Sequence, residues 1–486
     1  MASIRNEILS PNGEQILFRV LDGINTEEGD IFHSKPDLLL ALYLALIHTS
    51  IDGYEGYEPT NKSKGHFYKP YINTLPENES YNDIPRRWSA DTLNDLLGGT
   101  SSLLRRVNQE KAGLVSDYNL IRCAWHKTID RGHKFPPLPT FSLFDQCMAI
   151  VQSRAFQGLG GDNNDALIPV MDLLNHKRGV GQSADVRYKL IESAEDFPVK
   201  YVVLMAANDL MANSTIRNTY GAKGNSQLLN RYGFCIPRNI EPDGSCNDVL
   251  EITNKYFPAT IELRAGPKSY TFGGFARALE CCRENDGDGD DGAAGSDDQS
   301  DDDMEAFLST CEQDDGYCLD GEDEEGSNMF STNLYSSSDA GLDRLDEGNT
   351  GTCTTTIMKE CKAIEKLAGS LKEIFNGYSL QKERLAIAVG NSSRHYKREY
   401  QAALLVLSEQ RIIRCHSQAI GLILDFLEAK LDGMRMRFNR SSISAPTFVE
   451  RDDEILLSHQ AKELMDAYLK IRHPGLNLSS TANKES

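Results

Sequence analysis

Four short clusters gather the side chains of this sequence whose types and spacing lend themselves to chemistry. They are SRAF (Ser153 to Phe156), MDLLNH (Met171 to His176), NTYG (Asn218 to Gly221) and NSQLLNRYGF (Asn225 to Phe234). Each taken singly has a structural explanation: an Asn-His pair at the edge of an apolar run caps a strand end, and Tyr-Gly is a common turn. Order and spacing carry more, because Tyr220-Gly221 follows Asn175 by 45 residues and leads into a helix-like segment. Metal chemistry is not indicated. The 11 cysteines are scattered and odd in number, and no CxxC pair has a matching second pair. Reduced thiols fit this pattern better than a zinc site or a disulfide scaffold.

In this order the clusters closely resemble the end of a SET domain, specifically that of the Rubisco large-subunit methyltransferase class. Members of that class methylate lysine, and in one branch histidine, in non-histone and sometimes histone proteins. The resemblance continues upstream through FYKPYINTLP and WSADTLNDLLGGT (Trp88 to Thr100) and reappears in RLAIAVG (Arg384 to Gly390), like the start of the long helices in that class's C-terminal domain. It covers roughly residues 30 to 280 and 355 to 475. It implies S-adenosyl-L-methionine as cofactor, no metal, and a lysine side chain of a protein as methyl acceptor. Asn175 and His176 would hold the adenine and amino-acid portions of the cofactor, Arg154 would contact both cofactor and substrate, and Phe234 would cover the adenine ring. Tyr220 corresponds to the catalytic tyrosine closing the methyl-transfer channel, with Asp172, Tyr188 and Tyr232 beside it on the substrate lysine.

Three positions depart from the class. Tyr188 takes its place through a one-residue shift, since Arg187 stands at the expected position. Gly158 replaces a basic residue four positions after Arg154. No GxG segment precedes NGEQILFRV, which points to a truncated gene model or a lineage that has lost the first SET strands.

The implied reaction is an in-line displacement at a sulfonium, so the amine must arrive neutral, desolvated and aligned. A narrow channel of Tyr hydroxyls and backbone carbonyls supplies those conditions. Burial among aromatic rings lowers a lysine pKa, and the adjacent cationic sulfonium pushes the same way. Two other readings stay open: a catalytically inactive SET-like module that binds a partner through its helical domain, and a protein-histidine methyltransferase.

The elements that must position these clusters fall into two textures. From Lys35 to about Val151 the sequence reads as helices and loops: LLLALYLALI as a buried core helix, Ser89 to Leu97 with Ser89 as N-cap, Leu114 to His126, and Ser142 to Phe156. From Ala166 the short apolar runs LIPVMDLL, KYVVLMAA and VLEIT, separated by Gly, Asn and Asp, argue for several short strands. Beyond Thr352, apolar spacings of three and four return over Met358 to Phe375 and Arg394 to Lys430, with a final helix from about Asp452 to Ile471.

The resulting expectation is α+β: small β-sheets with a pseudoknot and a helical insertion, followed by an all-α C-terminal substrate-binding domain. The boundaries are 1–262 for the SET domain with its insertion at about 35–151, and 263–283 for the start of the C-terminal domain. An acidic insertion occupies 284–352, the helical domain 353–475 and a tail 476–486.

Charge separates the same parts. Of the 42 residues from Glu284 to Glu325, 19 are Asp or Glu and none is Lys or Arg, so this tract holds nearly all of the net charge of −21. Its composition cannot bury enough apolar surface to offset the entropy of ordering. It is not an EF-hand, because Asp291 and Asp297 stand where a loop starting at Asp286 needs Gly and Glu. The expected partner is a protein substrate, non-histone rather than histone, with no nucleic acid and no membrane, acted on by a monomer. The absence of a signal-like or membrane-length apolar run places the protein inside the cell, in cytoplasm or nucleus, with a plastid still open.

Overall fold

The computed structural model describes residues 36–51, 70–75, 83–100, 102–130, 137–156, 166–178, 184–192, 200–240, 246–253, 260–265, 268–284, 350–379, 398–433 and 451–472. Residues 285–349 of the acidic insertion, the RLAIAVG segment, NGEQILFRV and the tail lie outside them. The chain divides into two compact units, one of residues 1–239 with 379–406 and one of residues 240–378 with 407–486.

The first unit is built on α1 (Pro36–Ile51), α2 (Ala90–Leu97), α3 (Leu103–Asp130) and α4 (Phe141–Arg154). Leu38, Leu39, Ala41, Leu42, Leu44 and Ala45 are all buried, so α1 is apolar around nearly its whole circumference. It packs with α4 in a core that also takes Trp125 and Phe144. Burying each of these leucines contributes about 1.5–3 kcal/mol relative to exposure. Ser89 caps α2 as its position predicts, its Oγ accepting from the Thr92 N–H at 3.2 Å, a contact worth about 1 kcal/mol. Thr140 does the same for α4. The Leu114 to His126 pattern is the middle of a longer helix. α3 starts at Leu103, where the charged LLRRVNQE stretch masks the apolar face that Leu103 and Val107 bury.

Three two-stranded sheets occur among the described residues, and with the helices they make the fold α+β. β1 (Asn175–His176) pairs in parallel with β4 (Arg217–Asn218). β2 (Val186–Glu192) and β3 (Lys200–Ala206) form an antiparallel hairpin with Tyr188 opposite Leu204. KYVVLMAA and VLEIT are strands as expected, but LIPVMDLL is not. There the chain turns at Pro169 and Val170 and winds one 3-10 turn over Met171–Leu173, so Asp172 and Met171 point inward while Leu173 is exposed. Pro169 cannot donate to a ladder, and Val170 has a positive φ of 75° that no strand accommodates.

The helix α5 (Asn225–Tyr232) closes the first unit's site region, ending at Gly233 in the left-handed conformation. The second unit contains the antiparallel pair β5 (Val249–Ile252) and β6 (Ile261–Arg264), then α6 (Lys268–Glu284), α7 (Thr350–Gly377), α8 (Arg398–Gly433) from Leu407 onward, and α9 (Arg451–Arg472). α6 packs on α7, α9 and β6. Gly274 lies flush on the Glu262 carbonyl with no room for a Cβ. Among the described residues, no helix is long and apolar enough to cross a membrane.

Candidate active site

The parallel pair aligns Asn175 with Arg217 and His176 with Asn218, and this register carries Tyr220 onto His176. The Tyr220 N–H donates to His176 Nδ1 at 3.0 Å, and the two rings stack with centroids 5.0 Å apart. Asp185 holds the pair together from outside, accepting from Lys177 Nζ at 2.7 Å and from the Arg217 N–H at 3.0 Å. The Lys177 hydrogen bond, with help from the Arg217 amide, keeps the Asp185 carboxyl below its ordinary value.

Burial, reinforced by the charges of Arg178 and Lys223, lowers the His176 pKa to about 4. The imidazole is therefore neutral near pH 7. Because Nδ1 is an acceptor, its proton sits on Nε2.

Tyr220 is held at both ends, its hydroxyl donating to the Leu174 carbonyl at 2.9 Å. Its ring also stacks on Tyr232 at 4.7 Å with planes 23° apart. Phe234 completes a ring of four aromatic side chains, 6.2 Å from Tyr232 and 6.3 Å from His176. Tyr232 and Phe234 reach the same cluster because Gly233 between them takes φ 77°. Burial raises the Tyr232 hydroxyl above its usual pKa, so it stays protonated.

Asp172 forms a second group beside the first. Its side chain is fully buried, Arg154 NH1 donates to its carbonyl at 2.9 Å and to Oδ2 at 3.3 Å, and the Tyr71 hydroxyl donates to Oδ2 at 2.9 Å. The other oxygen, Oδ1, is buried and has no hydrogen-bond partner among the described residues. The two groups adjoin in the chain, since Leu174, the acceptor for Tyr220, follows Asp172 by two residues.

The structure thus brings together His176, Tyr220, Tyr232 and Phe234, and joins Arg154 to Asp172. Asn175 is exposed on β1. Tyr188 is not joined to the aromatic ring: it stands on β2, 41% exposed, edge-on to Phe156 at 5.6 Å. Sequence reasoning assigned no role to Tyr71, although FYKPYINTLP marked its segment. It also missed Asn225, whose amide accepts from the Ile236 N–H at 2.7 Å and donates to the Ile236 carbonyl at 3.1 Å. Among the described residues no group of acidic, His or Cys side chains could hold a metal.

The sequence relatives of this chain are lysine methyltransferases, and their similarity supports the resemblance drawn from the motifs. The N-lysine methyltransferase setd6 of Xenopus tropicalis is 27% identical over 207 residues, 40% of this chain and 41% of that protein. SETD6 of Mus musculus is 26% identical over 194 residues, 38% of each chain. The ribosomal lysine N-methyltransferase set10 of Schizosaccharomyces pombe is 29% identical over 104 residues, 21% of this chain and 18% of that one. The chain therefore matches about two fifths of the length of the Xenopus relative. No family model matches it. Among solved structures, it is similar to the SET domain of LSMT bound to lysine and AdoHcy, with TM-score 0.47 and 18% identity over 86% of this chain and 80% of that one. It is also similar to Rubisco LSMT bound to sinefungin and monomethyllysine, with TM-score 0.44 and 18% identity over 86% and 81% of the two chains.

Proposed function

We propose that the first unit transfers a methyl group from S-adenosylmethionine to a lysine side chain of a protein. The observation that carries this reading is the fixing of Tyr220, whose hydroxyl donates to a backbone carbonyl while its ring stacks on His176 and on Tyr232. In this reading the Tyr220 hydroxyl, the Leu174 carbonyl and the surrounding rings form a rim that would exclude water and align an amine.

The residues fit the cofactor. His176 is held neutral, so it adds no positive charge beside a sulfonium, and Phe234 is half-buried with ring surface to offer an adenine. In this reading Asn175, His176, Arg154 and Phe234 hold the cofactor, and Arg154, Asp172, Tyr188, Tyr220 and Tyr232 meet the substrate. When bound, S-adenosylmethionine supplies an electrophilic methyl group on a cationic sulfur. The aromatic surround desolvates the amine and favours its neutral form, and Tyr220 orients its lone pair. The helices of the second unit are proposed to bind the protein substrate, which is non-histone, with the enzyme working as a monomer in cytoplasm or nucleus.

The test is incubation of full-length protein with methyl-labelled S-adenosylmethionine and a cell lysate, followed by identification of the labelled residue. Label on lysine supports the proposal. Label on histidine, or none at all, overturns it.

A further inference from the structure

We infer that Tyr71 is a positioning residue that orients the Asp172 carboxylate so that one oxygen is kept for the incoming amine. This inference rests on the proposed lysine site and adds to it a residue 101 positions upstream of Asp172.

Asp172 has two chemically equivalent oxygens in two unequal settings. Oδ2 accepts from the Tyr71 hydroxyl at 2.9 Å and from Arg154 NH1 at 3.3 Å, while a further Arg154 contact fixes the Asp172 carbonyl at 2.9 Å. Oδ1 is as deeply buried yet has no partner among the described residues. An unsatisfied buried acceptor is costly, and the cost is recovered when a donor arrives. A carboxylate oxygen of this kind accepts an N–H bond of the neutral amine and leaves the nitrogen lone pair free for the methyl group.

Without Tyr71 the carboxylate would be held on one side only, by Arg154, and could rotate about its Cβ–Cγ bond to share both oxygens with the guanidinium. That fork is the geometry Arg prefers with a carboxylate, and it would use the oxygen now open. The Tyr71 hydroxyl blocks it by engaging Oδ2 from a separate chain segment. Arg154 alone neutralises the charge, and Tyr71 together with Arg154 sets its direction.

The experiment uses the full chain saturated with S-adenosylhomocysteine and titrated with free L-lysine, with L-norleucine as the control that keeps the α-amino and carboxyl groups and lacks only the ε-amino group. Tyr71→Phe removes one hydroxyl and keeps the ring. The expected result is about tenfold weaker lysine binding, with norleucine and S-adenosylhomocysteine binding unchanged, since one charge-assisted contact is worth roughly that factor. In the Asp172→Asn background the same Tyr71 substitution should add little, because the two side chains act as one unit. Wild-type lysine affinity in Tyr71→Phe overturns the inference, as does equal weakening of lysine, norleucine and S-adenosylhomocysteine, which would mark a merely structural role. A wild-type protein that does not distinguish lysine from norleucine overturns instead the lysine site on which the inference rests.

Discussion

The backbone N–H of Tyr220 donates to Nδ1 of His176 at 3.0 Å, and this contact tethers the tyrosine backbone and fixes the imidazole tautomer with its proton on Nε2. A protonated Nδ1 cannot accept. The charged form of His176 therefore requires the 217–220 segment to let go, and burial together with Arg178 and Lys223 opposes it further.

A pH dependence of stability follows. The His176 pKa is about 4 in the fold and near 6.5 in the unfolded chain, so the unfolded state binds the proton more readily. The stabilisation is present above about pH 6.5 and is lost as pH falls from there towards 4. Urea unfolding of His176→Gln should show a shallower loss of stability between those pH values than wild type. His416, buried in the second unit and also lowered to about 4, contributes a slope of the same sign, so the difference between variant and wild type is the quantity to measure.

Tyr220→Phe separates chemistry from folding. Loss of the hydroxyl contact to Leu174 should cost about 1 kcal/mol of stability, while the ring stacks remain. Labelled methyl transfer should fall by roughly 100-fold or more, since alignment of the amine is lost. Retained transfer would remove Tyr220 from the proposed catalytic role.

Gly233 has φ 77°, and a Cβ there would stand 3.2 Å from the Asp83 Cβ. Gly233→Ala is expected to destabilise the protein by about 1–2 kcal/mol. It should also weaken S-adenosylhomocysteine binding, because Tyr232 and Phe234 flank the turn. Denaturant unfolding and a cofactor titration would check the two effects.

Val170 is the opposite case, a β-branched residue at φ 75° that is 70% exposed and fills no core position. Val170→Gly should leave stability unchanged or raise it by up to about 1 kcal/mol, relief of the left-handed strain offsetting the extra freedom of the unfolded chain. A thermal midpoint lowered by several degrees would contradict the strained conformation.

The parts of this structure legible in the sequence are those whose cause is local. Ser89 announces α2 because its hydroxyl needs only the amide of Thr92, and the unbroken leucine run announces α1 because a helix apolar on all sides has to be buried. The LIPVMDLL run misleads because its apolar residues serve a turn, with Pro169 and Val170 breaking the extended path. Tyr71 was silent for a different reason: its partner lies far away in the chain, and only the tertiary fold brings the two together. Tyr188 followed from motif alignment alone, and on β2 its ring stands edge-on to Phe156.

The turn after α5 has a consequence for motion. Three backbone amides flanking Phe234 are engaged without any sheet: Gly233 to the Leu229 carbonyl at 3.0 Å, Cys235 to Gln401 Oε1 at 2.6 Å, and Ile236 to Asn225 Oδ1 at 2.7 Å. Amides engaged in this way are expected to show protection in hydrogen exchange. The backbone on either side of Phe234 is therefore tethered, and in the proposed site the motion that admits a ligand is expected from another segment.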